Sequence, residues 1–167
     1  LVDDAIRQGK PGSAAEGWEI LKRANRKIRG LVENILNYCR LEKPTRRLFS
    51  LNGMIHEILG TLKDRAERNQ CEFITMLDDR VGDLMANDEA IYDSLLNLIS
   101  NAMDAIDRGH SIQGRVVIQT ELLVGRNQVR IEITDDGEGI PPDNIDQIFN
   151  LFFSTKGKEG TGIGLAA

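Results

Sequence analysis

Apolar residues recur along this chain at helical, heptad and alternating spacings, and each spacing predicts a different element. Between residues 14 and 41, Leu21, Ala24, Ile28, Leu31, Ile35 and Tyr38 step alternately by three and four. That is the a/d seam of a helix lying lengthwise against other helices. Val32 and Cys39 widen the stripe on one side, as a helix inside a bundle requires. One helix cannot bury such a seam alone, so partner helices are expected. Residues 1–8 read as the last turns of an antiparallel neighbour, joined through the Gly-, Pro- and Ser-bearing stretch 10–17. Pro44 stops the long helix, and residues 43–49 read as a link onward.

A second amphipathic helix places Leu51, Ile55, Ile58, Leu59, Leu62 and Ala66 on one face. Residues 71–77 read as a short strand and 78–83 as a polar turn. Asn87 or Asp88 offers an N-cap to a third helix running to about residue 107, with Ile91, Leu95, Leu98, Ala102, Ala105 and Ile106 as its apolar set. Residues 116–124 and 129–134 read as strands, turned by Gly125, Arg126 and Asn127. Beyond Asp135 the chain is glycine-rich and loop-like. This order predicts an α+β sandwich, helices on one face of a mixed sheet, preceded by a helical hairpin.

Composition narrows the classes. Of 167 residues, 41% are hydrophobic and 28% charged, the balance of a folded globular chain. A net charge of −5 disfavours a nucleic-acid partner, which needs a basic footprint. No apolar run is long enough to span a bilayer. Charges at Asp3, Asp4 and Arg7 argue against a signal peptide, and the initial Leu1 suggests a fragment. Cys39 and Cys71 share no metal-binding spacing and read as reduced thiols. His56 and His110 cannot build a metal cluster by themselves.

Three segments carry candidate chemistry. On the third helix Ser94, Asn97, Asn101 and Asp104 step by three, four and three, a polar stripe beside the buried one. Asn is a poor helix former, so two of them one turn apart suit a ligand or a hard cation such as Mg²⁺; an ordinary solvated face would produce the same stripe. Asp135-Asp136-Gly137-Glu138-Gly139-Ile140 follows a strand. A carboxylate there can accept from an exocyclic amine, and the glycines let backbone approach a ring or phosphate; a plain turn is the bland alternative. Gly160-Thr161-Gly162-Ile163-Gly164-Leu165 precedes an apolar helix start, where N–H groups and the helix dipole favour phosphate. It fits neither a Walker A loop nor the dinucleotide spacing. Between the last two lie Ile148, Phe149, Phe152 and Phe153, read as packing residues, and Lys156, a point charge able to reach phosphate.

Together these segments resemble the histidine kinase ATPase family. Residues 97–105 are similar to its N box, 135–140 to its G1 box, 148–156 to its F box and 160–165 to its G2 box, in the family's order. The helix over 14–41 resembles the second helix of the kinase dimerisation and phosphotransfer domain. The resemblance thus implies a partial helical hairpin over 1–45. It implies a Bergerat-type two-layer ATP-binding domain over 46–167 that stops short of the family's remaining helix and strands.

The resemblance implies ATP and Mg²⁺ as cofactors and assigns roles. Asn101 would coordinate the metal, Asn97 would assist it, and both count as catalytic. Asp104 would border the nucleotide, Asp135 would take the adenine amine, and Gly137, Gly139 and Ile140 would shape the adenine pocket. Lys156, Gly160, Thr161, Gly162, Ile163, Gly164 and Leu165 would hold the phosphates beneath a lid. Gyrase-like relatives carry Glu where this chain has Asn97, a base for hydrolysis that an amide cannot replace, so transfer of the γ-phosphoryl group to histidine is favoured. His56 lacks the acceptor motif, which places the accepting histidine before Leu1. The implied partners are a response-regulator receiver domain and a second copy through the hairpin, with a cytoplasmic location whether or not the parent is membrane-anchored. The rival readings are a nucleotide-sensing module, or a regulator phosphatase without kinase activity.

Overall fold

The computed structural model describes residues 17, 18, 21, 22, 25, 45–109, 113–150, 152–155, 162, 164 and 165. Residues 17, 18, 21, 22 and 25 are helical. The rest of the predicted hairpin, including Ala24, Ile28, Leu31, Ile35, Tyr38 and Cys39, lies outside the described residues, as does His110. The chain divides into two compact units, Glu42–Phe149 and Leu1–Leu41 with Asn150–Ala167.

In the first unit, Ser50 ends strand β1 (Arg47–Ser50) and caps helix α1 (Leu51–Arg68). Its hydroxyl accepts from the Gly53 N–H at 3.1 Å, satisfying a donor that the first helical turn leaves orphaned. At the far end Asn69 caps the helix, and Gln70 takes a left-handed φ of 51° that turns the chain into β2 (Cys71–Met76). Strand β3 (Asp83–Ala86) follows, then helix α2 (Asp88–Gly109). The cap expected at Asn87 or Asp88 is Asn87, whose Oδ1 accepts from the Ala90 N–H at 3.2 Å. Asp88 and Glu89 favour the positive end of the helix dipole.

Strands β4 (Gly114–Leu123) and β5 (Gln128–Asp135) complete a three-stranded mixed sheet in the order β2-β4-β5. The β2–β4 pair is parallel and spans α2, while β4–β5 is antiparallel across a short 3-10 turn, Val124–Arg126. Val124 therefore leaves the predicted strand. Along β4, Gly114, Val116, Ile118 and Thr120 are buried while Arg115, Gln119 and Glu121 are exposed, the period-two signature of one covered face. That face joins Leu51, Ile55, Ile58 and Ala66 of α1 to Leu95, Ile99, Ala102, Met103 and Ile106 of α2 in one core. The expected two-layer α+β arrangement is observed.

Two expectations are corrected. Residues 47–50, read as linker, are β1 and pair antiparallel with β3, Leu48 opposite Met85. Four-residue strands with two or three apolar positions are too short to register as alternation. On α2 the buried stripe is rotated: Ile99 and Met103 are fully buried, whereas Leu98 is exposed. Nearly every position from Leu95 to Leu98 except Asn97 is apolar, so sequence alone does not select the face.

A polar network anchors the turn after β2. The Asp78 N–H donates to the buried Thr120 hydroxyl at 3.0 Å, and Thr120 bonds Asn52 Oδ1 at 3.2 Å. Asn52 returns an amide hydrogen to the Asp78 carbonyl at 3.2 Å. The Asp78 carboxylate accepts from the Arg80 guanidinium and from the Leu122 N–H. These donors, Arg80 foremost, hold its carboxyl well below the usual range. A depressed folded-state value stabilises the fold above the unfolded carboxylate's pKa and is lost as pH falls below about 4. We expect Asp78→Asn to flatten the decline in urea midpoint between pH 6 and pH 3.5. An unchanged pH dependence would contradict this role for Asp78.

Candidate functional site

The site is built where the end of β5 meets the last turns of α2. Register sets the geometry. Ile118 pairs with Ile133 and Val116 with Asp135, so Asp135 shares the helix-facing side of the sheet with Ile131 and Ile133. The turn that follows then runs into α2. The Glu138 N–H donates to the Ala105 carbonyl at 3.1 Å. A Cβ on Gly137 would lie 2.5 Å from the Ala105 carbonyl carbon and 2.7 Å from its Cβ. Only glycine allows this approach, because the obstruction is helix backbone. Gly139 has φ of +71° with open space where a side chain would be, so conformation alone demands glycine there.

Along the same seam, Ile131 and Ile133 of β5 line a cleft of about 270 Å³ with Ile91, Ser94, Leu95 and Leu98 of α2. The cleft lies on one side of Asp135 and the Gly137–Ala105 contact on the other. Asp135 therefore lies alongside the turn of α2 that carries Asn101. Its Oδ1 accepts from the Gly137 N–H at 3.0 Å, an Asx turn that fixes the carboxylate's direction. Among the described residues its second oxygen takes no partner, and Asp135 is exposed. Asp136 points to the opposite face, where the Arg115 N–H donates to it at 2.7 Å. That bond, with the Arg115 guanidinium second, lowers its carboxyl. The two adjacent carboxylates are thus separated, one spent on the sheet and one held toward the helix.

Asn97 is exposed and Asn101 half-buried on α2. Ser94 turns its hydroxyl back to the Ala90 carbonyl at 2.7 Å. Asp104 accepts from the Arg65 guanidinium of α1, and one turn on Asp107 accepts from Asn69 at 2.6 Å. Sequence spacing gave no signal for Arg65 or for the Ala105 carbonyl, since both act across long separations.

The predicted residues therefore fall into three groups. Asn97, Asn101 and Asp104 on α2 join Asp135, Gly137, Gly139 and Ile140 at the end of β5 in one region of the first unit. Lys156, Gly160, Thr161 and Ile163 lie outside the described residues. Gly162, Gly164 and Leu165 belong to the second unit. There the Phe152 N–H donates to the Gly162 carbonyl at 2.7 Å, and Gly162, at φ +64°, lies against the Phe152 and Phe153 backbone. Phe149 and Phe152, expected to pack, are 67% and 62% exposed, while Phe153 is half-buried.

This donor set fits a nucleotide with a hard cation. Among the described residues no cluster of three His, Cys, Asp or Glu side chains could hold a metal unaided. Amide oxygens from Asn97 and Asn101 instead suit Mg²⁺, which keeps waters and takes most of its remaining ligands from phosphates. The open space over Gly139, the apolar Ile140 and a directed carboxylate suit a flat ring bearing an amine.

Residues 86–167 match the family described as histidine kinase-, DNA gyrase B-, and HSP90-like ATPase. The chain is 28% identical over 162 residues to the sensor histidine kinase ZraS of Salmonella typhi, covering 97% of this chain and 34% of the relative. It thus spans about a third of the length of that curated relative. The catalytic domain of histidine kinase ThkA in a nucleotide-free form superposes with a TM-score of 0.63 at 28% identity, covering 72% of this chain and 75% of that one. Full-length ShkA in complex with AMPPNP shares the fold, with a TM-score of 0.70 at 22% identity over 96% of this chain and 32% of that one. Among the described residues no helix is long and apolar enough to cross a membrane.

Gly137→Ala should separate the turn from α2. We expect a loss of about 1–3 kcal/mol in urea unfolding and faster amide exchange at Glu138, whereas Gly60→Ala, with nothing within 4 Å, should leave stability equal or higher. Equal effects at the two glycines would refute the contact's importance.

Proposed function

We propose that this chain is the ATP-binding catalytic portion of a sensor histidine kinase, a reading supported by the match of residues 86–167 to the histidine kinase-, DNA gyrase B-, and HSP90-like ATPase family. In this reading residues 1–45 are part of the dimerisation and phosphotransfer hairpin, and 46–167 are the nucleotide domain. The single observation that carries it is Asp135, fixed by its Asx turn, leading a turn whose Gly137 and Glu138 meet Ala105 on α2, four residues after Asn101.

Asp135 accepts a hydrogen bond from the adenine amino group through the oxygen not used by Gly137. Gly139 and Ile140 border the ring. Asn101 offers its amide oxygen to Mg²⁺ bound on the phosphates, with Asn97 assisting one turn earlier. The assignment of Lys156, Gly160, Thr161, Gly162, Ile163, Gly164 and Leu165 to the phosphates rests on their likeness to the family's F and G2 boxes alone. A metal held by Asn101 would supply charge neutralisation on the phosphoryl group. With an amide at position 97, no side chain there can deprotonate water, which supports transfer to a histidine over hydrolysis. The acceptor belongs to a dimerisation helix, and an aspartate on a response-regulator receiver domain receives the group next. Exposed His56 on α1 is not that acceptor.

Calorimetric titration of this chain with ATP, with and without Mg²⁺, tests the reading. Saturable, Mg²⁺-dependent binding is expected, weakened about ten- to hundredfold by Asn101→Ala. Binding that is indifferent to both Mg²⁺ and Asn101 would contradict the metal assignment, and no binding by the folded chain would contradict the function.

A further inference from the structure

The polar stripe on α2 contains one group that does not suit an anionic ligand. Asp104 lies one turn beyond Asn101 on the same face, and a bare carboxylate there would repel phosphate. The structure supplies a counter-charge from a different element. Arg65, in the last turn of α1, places its guanidinium on the Asp104 carboxylate, 39 residues away in sequence. Both side chains are about one-third exposed, at 33% and 28%, so solvent screens their charges only in part. Asn69 and Asp107 make a second link between the same helices one turn further on. That link ties α1 to α2 at a second point, further from Asn101, where the exposed Asp107 carboxylate takes a neutral amide.

We infer that Arg65 is a positioning residue for the nucleotide's phosphates: it cancels and orients the Asp104 carboxylate, so that α2 presents neutral amides to an anionic ligand. This rests on the nucleotide reading above. It assigns Asp104 to the wall of the site as a group held by Arg65, in place of a direct ligand role. Arg65 itself need not touch the nucleotide, because the field it removes acts through Asp104. The consequence is a charge-dependent effect on affinity. Ligands with more phosphate lose more when Arg65 is neutralised, and a ligand with no phosphate loses nothing. A purely mechanical brace between α1 and α2 would affect all adenine ligands alike.

The test compares ATP, ADP and adenosine binding to the full chain, by calorimetry for the nucleotides and NMR titration for adenosine. Arg65→Gln should weaken ATP about tenfold and ADP less, and leave adenosine unchanged. Adding Asp104→Asn to that variant should return ATP affinity to within about twofold of the wild type, and Arg65→Lys should retain most of it. Melting curves of each variant establish that it is folded. An equal loss for all three ligands, or no loss for any, would overturn the inference. So would a double variant no better than Arg65→Gln. If the wild-type chain binds adenosine and ATP equally weakly or not at all, the nucleotide reading fails, and this inference fails with it. That result is distinct from a wild type that binds and an Arg65→Gln variant that does not differ.

Discussion

The candidate site depends on the contact between Gly137 and Ala105. A strand end and a helix can approach to van der Waals distance of the helix backbone only where one side chain is missing. Here the missing side chain is Gly137's, and the Glu138 N–H seals the approach by donating to the Ala105 carbonyl. Two otherwise separate pieces of chemistry, the Asn97–Asn101 stripe and the Asp135 carboxylate, are thereby fixed in one frame. Strand parity does the rest: Asp135 pairs with Val116 and faces the helices, while Asp136 turns to Arg115.

The frame is held from behind by charge and hydrogen bonds as well as by the apolar core. Arg65 and Asn69 of α1 reach Asp104 and Asp107 of α2. At the opposite end of the sheet Asp78 gathers Thr120, Leu122 and Arg80 around the turn after β2. Isolated surface pairs contribute little to stability. Their value here is geometric: α1 is tied to its neighbours at both ends, through Asn52 to the turn after β2 and through Arg65 and Asn69 to α2.

Much of this was legible in the sequence, for identifiable reasons. Long elements with strong periodicity, α1, α2, β4 and β5, could be read because many positions vote for one spacing. The Gly137 and Gly139 turn stood out because alternating glycines after a carboxylate are informative in combination with the asparagine stripe. The β1–β3 pair was missed because four-residue strands carry too few positions. The rotation of the α2 core toward Ile99 and Met103 was missed because several adjacent positions are all apolar. Arg65 was invisible, since its partner lies 39 residues on and nothing local marks it. Exposed Phe149 and Phe152 show that aromatic character alone does not place a side chain in a core.

Backbone amide chemical shifts of this chain titrated with ATP and Mg²⁺ test the central claim most directly. A nucleotide bound between the end of β5 and α2 should perturb Asp135 to Ile140 together with Asn97 to Ala105, saturating at a common concentration. Perturbation of only one of these segments, or saturation of the two at different concentrations, would contradict a single site organised by the Gly137–Ala105 contact.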